Sequence, residues 1–243
     1  MRITRLYHRE SLHCGETAQL DVNASNHLIR VLRSKPGTAV ILFNGDGYDY
    51  LCKTVDTDPK MTSLVIESRT RINTESSISI TLIQGLSRQD RMEATIQKSV
   101  ELGVNRIIPL ICQRSNYRLT KEKETKKLEH WRKVAISACE QSGRCFIPAI
   151  TEIITLKALP PLLEHDALKL NLDPAANNSL RESNYSHTGI EILIGPEGGL
   201  NNDETDVLKR NGFNSIRFGP RILRTETAGP AVISAIQTLW GDL

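Results

Sequence analysis

The chain has 243 residues, of which 39% are hydrophobic and 24% are charged, with 31 Lys and Arg against 28 Asp and Glu. This composition excludes an intrinsically disordered chain, because enough apolar surface is present to offset the entropy lost on folding. No apolar run approaches the roughly 18 residues that a membrane-spanning helix needs, and the N-terminus lacks the apolar core of a signal peptide. We therefore expect a soluble, cytoplasmic protein of one large or two ordinary domains.

The cysteines and histidines indicate neither a disulfide framework nor a metal centre. The five cysteines are scattered and contain no Cys-x-x-Cys pair, which is typical of reduced thiols in the cytoplasm. The six histidines lack the spacing of zinc ligands. No metal site is predicted.

The net charge of +3 hides an uneven distribution along the chain. Residues 1–36 carry six basic and three acidic side chains, and residues 113–133 carry eight and three. Residues 160–243 carry seven basic and eleven acidic side chains. Basic regions of this kind favour contact with RNA or another polyanion.

The first 72 residues are predicted to form a small β domain. The apolar run 38–43 ends at Asn44-Gly45-Asp46-Gly47, a strong hairpin signal, and one helix is predicted over 25–33. Further strands are predicted at 48–55 and 62–72. Short strands joined by turns indicate a barrel or sandwich, and the polar stretch 69–79 indicates a domain boundary.

Strands and helices alternate from residue 73 onward, which indicates an α/β domain with a mostly parallel sheet. In the first helix Met92, Ile96 and Val100 recur every fourth residue, and Gly103 stands at the C-terminal cap position. The predicted strands are 78–86, 106–112, 166–172, 190–195 and 214–219. The predicted helices are 88–103, 121–143, 201–212 and 227–240.

Three of these strands end in segments suited to ligand binding. Residues 194–204 (IGPEGGLNNDE) form a loop with little side-chain bulk, and Glu204 completes a capping box for the next helix. Residues 218–230 (FGPRILRTETAGP) place two arginines around an apolar pair, with Thr225 as the predicted helix N-cap and Pro230 in the first turn. The third strand ends at 172. Parallel strands bind ligands at their carboxyl ends, although each segment alone is also typical of an ordinary turn.

A set of basic residues forms the last candidate site. Arg30 and Arg33 are predicted to share one helix face, so that both guanidinium groups reach one phosphate backbone. For any single arginine a solvated surface charge is the simpler interpretation, whereas phosphate binding explains the group better. The helix 121–143 is equally well explained as a solvated helix, since Glu122 pairs with Lys126. The set consists of Arg2, Arg5, His27, Arg30, Arg33, Lys35, Arg88, Arg91 and Lys98.

In their order and spacing, these motifs closely resemble the RsmE family of bacterial 16S rRNA (uracil-N3)-methyltransferases, within the SPOUT superfamily. The resemblance covers essentially the whole chain, with Gln89 and Arg91 as small departures from the family pattern. Its motifs here are HLIRVLR (27–33), SRQDRMEATIQKSVELGV (87–104), ACEQSGR (138–144), LKLNLDP (168–174), LIGPEGGL (193–200) and FGPRILRTETA (218–228).

The resemblance implies an α/β knot domain over 73–243 that binds S-adenosylmethionine and forms a homodimer. A PUA-like RNA-binding barrel is implied over 1–72. The implied reaction is methylation of N3 of a specific uridine in the decoding region of 16S rRNA, on the assembled 30S subunit, without a metal or a membrane. The implied cofactor-binding residues are Leu170, Asn171, Ile194, Gly195, Glu197, Gly199, Phe218, Gly219, Ile222 and Leu223.

The chemistry of that reaction suggests roles for three further residues. Uracil N3 carries a proton, so a cation is needed to stabilise the anion that forms when the proton leaves. We expect Arg224, and after it Arg221, to supply that cation. Glu226 is a candidate proton acceptor, although a carboxylate that stabilises the positive end of the helix explains it equally well. RNA binding is expected from Arg5, His27, Arg30, Arg33, Arg88 and Arg91.

Two other functions fit the same sequence. A non-catalytic RNA-binding protein would use the barrel and the basic surfaces, with the glycine-containing loops merely structural. A related methyltransferase would act on a ribose 2′-hydroxyl group or on tRNA.

Overall fold

The computed structural model describes residues 3–115 and 120–243, apart from the side chain of Gln89. Arg2 and the Gln89 side chain therefore lie outside the described residues. The chain forms two compact units: Met1–Glu75 with Cys139–Ile147, and Ser76–Ala138 with Pro148–Leu243. We call these the N-terminal and C-terminal units. None of the helices in the described ranges is long and apolar enough to cross a membrane.

The N-terminal unit contains a five-stranded sheet in the order β1-β3-β4-β5-β2. β1 is parallel to β3, and the other pairs are antiparallel. The predicted hairpin is confirmed, because Gly45 and Gly47 take positive φ angles of 97° and 88° in the turn between β3 and β4. The strands are β1 (Thr4–Tyr7), β2 (Thr17–Gln19), β3 (Ala39–Phe43), β4 (Tyr48–Thr54) and β5 (Ser63–Arg71).

The predicted helix over 25–33 takes a different form. Helix α1 (Val22–Asn26) begins earlier, because the carboxylate of Asp21 accepts the backbone N–H groups of Asn23 and Ala24. The helix continues as one π-helical turn, His27–Val31, and Arg33 then takes a left-handed backbone conformation with φ 54°. The prediction that Arg30 and Arg33 share a helix face is wrong, because Arg33 lies beyond the end of the helix.

Residues 139–147 belong to the N-terminal unit, although the sequence prediction assigned them to the second domain. The backbone N–H of Tyr7 donates to the carboxylate of Glu140, and the guanidinium group of Arg144 pairs with Glu75. Arg5 donates to the carbonyl oxygen of Cys139 at 2.9 Å. These polar contacts attach the segment to β1 and to the end of the first segment of the unit.

The C-terminal unit is built around a seven-stranded sheet in which every pair of neighbouring strands is parallel, as predicted. The strand order is β12-β10-β11-β6-β7-β8, and β9 also pairs with β7. The strands are β6 (Ser79–Gly85), β7 (Arg106–Ile111), β8 (Ala149–Ile150), β9 (Ile154–Thr155), β10 (Ala167–Leu172), β11 (Gly189–Ile194) and β12 (Asn214–Ile216).

Helices cover the sheet on both faces, which explains why its central strands are apolar along their whole length. Helix α2 packs against α5, and α5 packs on β6 and β11. Leu208 of α4 joins a separate buried cluster with Ile83 and Leu193. The remaining helices are α2 (Gln89–Glu101), α3 (Lys121–Ser142), α4 (Asn202–Arg210) and α5 (Thr225–Trp240).

Burial gives the cysteines different reactivities. It raises the pKa values of Cys52, Cys112, Cys139 and Cys145 to about 12, so these thiols stay protonated at neutral pH. Cys14 is exposed. Because only the thiolate reacts readily with alkylating reagents, the folded protein has one accessible reactive cysteine.

We expect iodoacetamide at pH 8 to modify Cys14 alone in the folded protein, and all five cysteines after unfolding. Mass spectrometry of the intact protein gives the number of modified thiols. Cys14→Ser is the control and should leave the folded protein unmodified. Rapid modification of a second cysteine in the folded protein would contradict the burial described above.

Candidate active site

The carboxyl ends of three neighbouring parallel strands form a cavity in the C-terminal unit. β12, β10 and β11 are adjacent in the sheet, so the segments that follow them lie at the same edge. The cavity encloses about 540 Å³, a volume that includes space open to solvent. It is lined by Leu172, Asp173, Pro174, Ile194, Gly195, Arg217, Phe218, Gly219, Arg221, Leu223, Thr225 and Ala228.

The segment after β11 is fixed by a close approach of two backbones. We call residues 195–200 the glycine loop. A Cβ atom on Gly85, the last residue of β6, would lie 2.6 Å from the backbone nitrogen of Pro196. No real Cβ atom tolerates that distance, so Gly85 is the residue that lets the loop cross the end of β6.

Two arginines hold the glycine loop from other elements. Arg114 donates to the carbonyl oxygens of Gly198 and Leu200, at 3.2 and 3.3 Å. Arg91 of α2 donates to the carboxylate of Glu197 at 2.8 Å. The predicted capping box is confirmed at the end of the loop, where the Asn201 and Glu204 side chains each accept the other residue's backbone N–H.

Helix α5 begins next to the same loop. The hydroxyl group of Thr225 donates to the carbonyl oxygen of Gly195 at 3.1 Å and accepts a hydrogen bond from Gln84 Nε2 at 2.8 Å. The prediction that Thr225 is the N-cap is wrong: Arg224 is the N-cap, and Thr225 is the first helical residue. Pro230 consequently lies in the second turn of α5 and not in the first.

The predicted catalytic arginines occupy different positions. Arg221 lines the cavity, together with Arg217, which the sequence analysis did not single out. Arg224 is exposed just before α5 and is not among the cavity-lining residues. Among the described residues, the two cations that border the cavity are therefore Arg217 and Arg221.

Glu226 lies in the first turn of α5, pointing toward α2. Its Oε1 atom is 3.7 Å from Arg91 Nε, and its Oε2 atom is buried without a hydrogen-bond partner among the described residues. An unpartnered buried carboxylate oxygen is costly, and its presence usually indicates a ligand, a water molecule or a catalytic role.

Half of the predicted cofactor-binding residues line the cavity: Ile194, Gly195, Phe218, Gly219 and Leu223. Leu170 and Asn171 are buried inside β10, where Asn171 accepts a hydrogen bond from Ser215. Ile222 is 84% exposed. The remaining two, Glu197 and Gly199, lie in the glycine loop but not on the cavity wall.

The other lining residues were not predicted to belong to the site, namely Leu172, Asp173, Pro174, Arg217, Thr225 and Ala228. Asp173 and Pro174 directly follow the predicted strand, so the general rule that ligands bind just beyond strand ends could have found them.

Arg5, a predicted RNA-binding residue, is buried in the N-terminal unit instead. Its guanidinium group forms an ion pair with Asp49 at 2.7 Å and lies 4.4 Å from the centre of the Phe43 ring. With Cys139 as a further partner, Arg5 has its donors directed into the protein. The prediction of RNA contact is therefore wrong for Arg5, because its guanidinium group is buried and paired with the partly buried carboxylate of Asp49.

The other predicted RNA-binding residues divide into two groups. Arg88 is exposed before α2, and His27, Arg30 and Arg33 are exposed on and after the π-helical turn. Arg91 is half-buried and paired with Glu197 and Glu226. Within residues 3–115 and 120–243, no group of three or more His, Cys, Asp or Glu side chains could hold a metal ion.

Comparison with known proteins identifies the family. Residues 74–237 match a model described as an RNA methyltransferase domain, and residues 20–62 match an RNA methyltransferase PUA domain. The ribosomal RNA small subunit methyltransferase E of Buchnera aphidicola (subspecies Acyrthosiphon pisum) is 32% identical over 241 residues, 99% of this chain and 95% of that protein. The protein of that name from Bacillus subtilis is 30% identical over 219 residues, 87% and 86% of the two chains.

Two solved structures resemble the whole chain. One is a ribosomal RNA small subunit methyltransferase E from Neisseria gonorrhoeae bound to S-adenosylmethionine, with 36% identity, a TM-score of 0.93 and 100% coverage of both chains. The other, from Legionella pneumophila, contains the same bound cofactor, with 36% identity, a TM-score of 0.96 and 100% coverage of both chains.

The parallel sheet, the cavity at its carboxyl edge and the PUA-type domain together define an RNA methyltransferase of the SPOUT α/β class, which confirms the expected fold class. The chain belongs to the ribosomal RNA small subunit methyltransferase E family. It is therefore an enzyme that methylates ribosomal RNA, and not a module that only binds RNA.

The structural role of Arg5 can be separated from RNA binding by mutation. We expect Arg5→Ala to lower the free energy of unfolding by about 3 kcal/mol, because the largely buried Asp49 carboxylate loses its ion-pair partner and the donors of the Arg5 side chain to Cys139 are lost. The exposed Arg30→Ala is the matched control and should stay within about 0.5 kcal/mol of the wild type. Urea unfolding measures both. An Arg5→Ala protein as stable as the wild type would contradict the structural role.

Proposed function

We propose that this chain transfers the methyl group of S-adenosylmethionine to N3 of a specific uridine in the decoding region of 16S rRNA. We further propose that it acts on the assembled 30S subunit, as a cytoplasmic homodimer. The observation that carries this proposal is the cavity formed by three segments at the carboxyl edge of the parallel sheet. Nothing in the reaction requires a metal or a membrane.

The cavity has the chemical character that S-adenosylmethionine needs. Leu172, Ile194 and Leu223 offer apolar surface to a purine ring, and the backbone around Gly195 and Gly219 is free of side-chain bulk. The cofactor also has a carboxylate and hydroxyl groups, which Arg217, Arg221 and Asp173 can pair with. When bound, the cofactor supplies an electrophilic methyl group on a sulfonium ion.

We assign roles toward the uracil ring to three residues. Removing the N3 proton leaves negative charge on O2 and O4, which a guanidinium group stabilises. Arg224, which is exposed at the start of α5, and Arg221, on the cavity wall, are the proposed cations. Glu226 is the proposed proton acceptor, since its Oε2 atom is buried and has no hydrogen-bond partner within residues 3–115 and 120–243.

We assign RNA binding to the exposed basic side chains of both units. His27, Arg30 and Arg33 surround the π-helical turn, where Val31 is also exposed at 63%. Arg88 provides a further cation in the C-terminal unit. Because these side chains are exposed, their charges are available to phosphate groups. Ile222 offers apolar surface to a base or to a second copy of the chain.

Methyl transfer in vitro tests the proposed reaction. Purified protein is incubated with methyl-labelled S-adenosylmethionine and 30S subunits lacking the modification, and the rRNA is digested to nucleosides. We expect labelled 3-methyluridine, and more of it from subunits than from naked 16S rRNA. We expect Arg224→Ala to lower the rate about 100-fold, in the range found when one anion-stabilising donor is removed.

The alternatives give different products in the same experiment. Labelled 2′-O-methylnucleoside, or methylation of tRNA only, would contradict the proposed specificity. An Arg224→Ala protein with the wild-type rate would overturn the assignment of Arg224. Arg210→Ala, on the exposed side of α4 in the same unit, is the control and should retain the wild-type rate.

The position of the glycine loop can be tested through cofactor binding. We expect Gly85→Ala to weaken S-adenosylmethionine binding about tenfold or more, because the added methyl group collides with the backbone of Pro196. Overpacking of this kind costs about 1–3 kcal/mol, and 1.4 kcal/mol corresponds to a factor of ten. Calorimetric titration gives the dissociation constant.

Gly189→Ala, at the opposite end of β11, is the matched control. Its added methyl group would lie 3.0 Å from the flexible side chain of Glu164 and 3.2 Å from the backbone oxygen of Ser79, so that shifts of a few tenths of an ångström accommodate it, far from the glycine loop. We expect this variant to bind the cofactor with wild-type affinity. Equal affinities for all three proteins would show that the glycine loop does not form the cofactor site.

A further inference from the structure

Arg91 is the only one of the basic residues predicted to bind RNA that, among the described side chains, contacts two carboxylates near the candidate active site. It forms ion pairs with Glu197 of the glycine loop, at 2.8 Å, and with Glu226 of α5, at 3.7 Å. Its side chain is 28% exposed. A guanidinium group paired in this way has little remaining capacity for a phosphate group.

The two carboxylates belong to different parts of the site. Glu197 lies in the segment after β11 whose first residues form the cavity wall, while Glu226 follows Thr225 at the start of α5. Arg91 comes from a third element, α2, and therefore connects the glycine loop to the first turn of α5. The planar guanidinium group has several donors in a fixed arrangement, which suits it to bridging two carboxylates.

The pairing of Arg91 with both carboxylates, which we call the bridge, also determines which carboxylate oxygen of Glu226 is available to a ligand. Arg91 lies beside Oε1, whereas Oε2 is buried and has no partner in the part of the chain that the structure describes. Fixing one carboxylate oxygen orients the other, in the way that a supporting residue orients a catalytic group. Without Arg91 the Glu226 side chain could rotate, and no other ion pair within the described residues would hold it.

We propose that Arg91 is a positioning residue for the methyl transfer: it orients Glu226 and joins it to the glycine loop, and it does not bind RNA. This inference rests on the proposed role of Glu226 as proton acceptor. It predicts that loss of Arg91 affects the rate of the chemical step and leaves the affinity for RNA unchanged.

The test compares Arg91→Ala with Arg88→Ala, an exposed arginine three residues earlier. Total methyl transfer from labelled S-adenosylmethionine to 30S subunits gives kcat and KM, and filter binding at several salt concentrations gives RNA affinity. We expect Arg91→Ala to lower kcat about tenfold or more, with the dissociation constant for RNA and its salt dependence unchanged. We expect Arg88→Ala to weaken RNA binding and reduce its salt dependence, and Arg210→Ala, on the exposed side of α4, to change neither kcat nor RNA binding.

Two further variants separate positioning from a general structural effect. Arg91→Ala in a Glu226→Gln background should cause no additional loss of kcat, because the residue through which Arg91 acts has already been neutralised. Arg91→Lys keeps the positive charge, but an ammonium group lacks the fixed set of donors with which a guanidinium group pairs with two carboxylates. We therefore expect this variant to recover little of the rate. If Arg91→Ala is too unstable to purify, Glu197→Gln breaks the same bridge from the other side, and its kcat should fall while RNA affinity stays constant.

Several results would overturn the proposal. Weaker RNA binding with an unchanged kcat would make Arg91 an RNA contact, and additive losses in the double variant would show that it acts independently of Glu226. Because the assay counts all transferred methyl groups, it does not depend on which nucleoside is modified. Nucleoside analysis of the same samples reports separately on the proposed uridine N3 specificity.

Discussion

The hydroxyl group of Thr225 connects three parts of the chain that must meet for this site to exist. It accepts a hydrogen bond from Gln84 at the end of β6, and it donates one to the carbonyl oxygen of Gly195 after β11. These two bonds place the start of the last helix against the carboxyl ends of the two central strands. The glycine loop can take up this position only because Gly85 has no side chain in its path. The segment that follows β12 must therefore return from the edge of the sheet to its centre, and in doing so it forms the remaining wall of the cavity.

Many of the arginines take part either in this arrangement or in ion pairs inside the N-terminal unit. In the C-terminal unit Arg91 and Arg114 hold the glycine loop, while Arg217 and Arg221 face the cavity. In the N-terminal unit Arg5 and Arg144 pair with Asp49 and Glu75. Several of the basic residues that give the chain its positive charge thus stabilise the fold. The cations available to RNA are a smaller set on exposed segments.

Much of the fold could be predicted from the sequence because local signals were strong. The hairpin at Gly45 and Gly47, the capping box of Asn201 and Glu204, and the alternation of strands and helices all depend on residues that are close in sequence. The edge of the sheet at which the cavity lies could also be predicted, because open parallel sheets bind ligands at the carboxyl ends of their strands. In each case the deciding interaction involves a few neighbouring residues.

The wrong predictions depend on partners distant in sequence. Arg5 was expected at the surface, but Asp49 and Cys139 lie 44 and 134 residues away along the chain. The pairing of Arg91 with Glu197 spans 106 residues. A solvated arginine and a buried one have the same local pattern, so only tertiary structure distinguishes them. The π-helical turn and the start of α5 at Thr225 likewise depend on packing and not on propensity.

The proposed activity of this chain is methylation of N3 of a uridine in 16S rRNA. Nucleoside mass spectrometry of 16S rRNA, from a strain in which the coding sequence has been deleted, tests it most directly. We expect 3-methyluridine to be lost from the deletion strain and restored by the wild-type protein, with all other methylated nucleosides at their usual levels. An unchanged amount of 3-methyluridine in the deletion strain would contradict the claim.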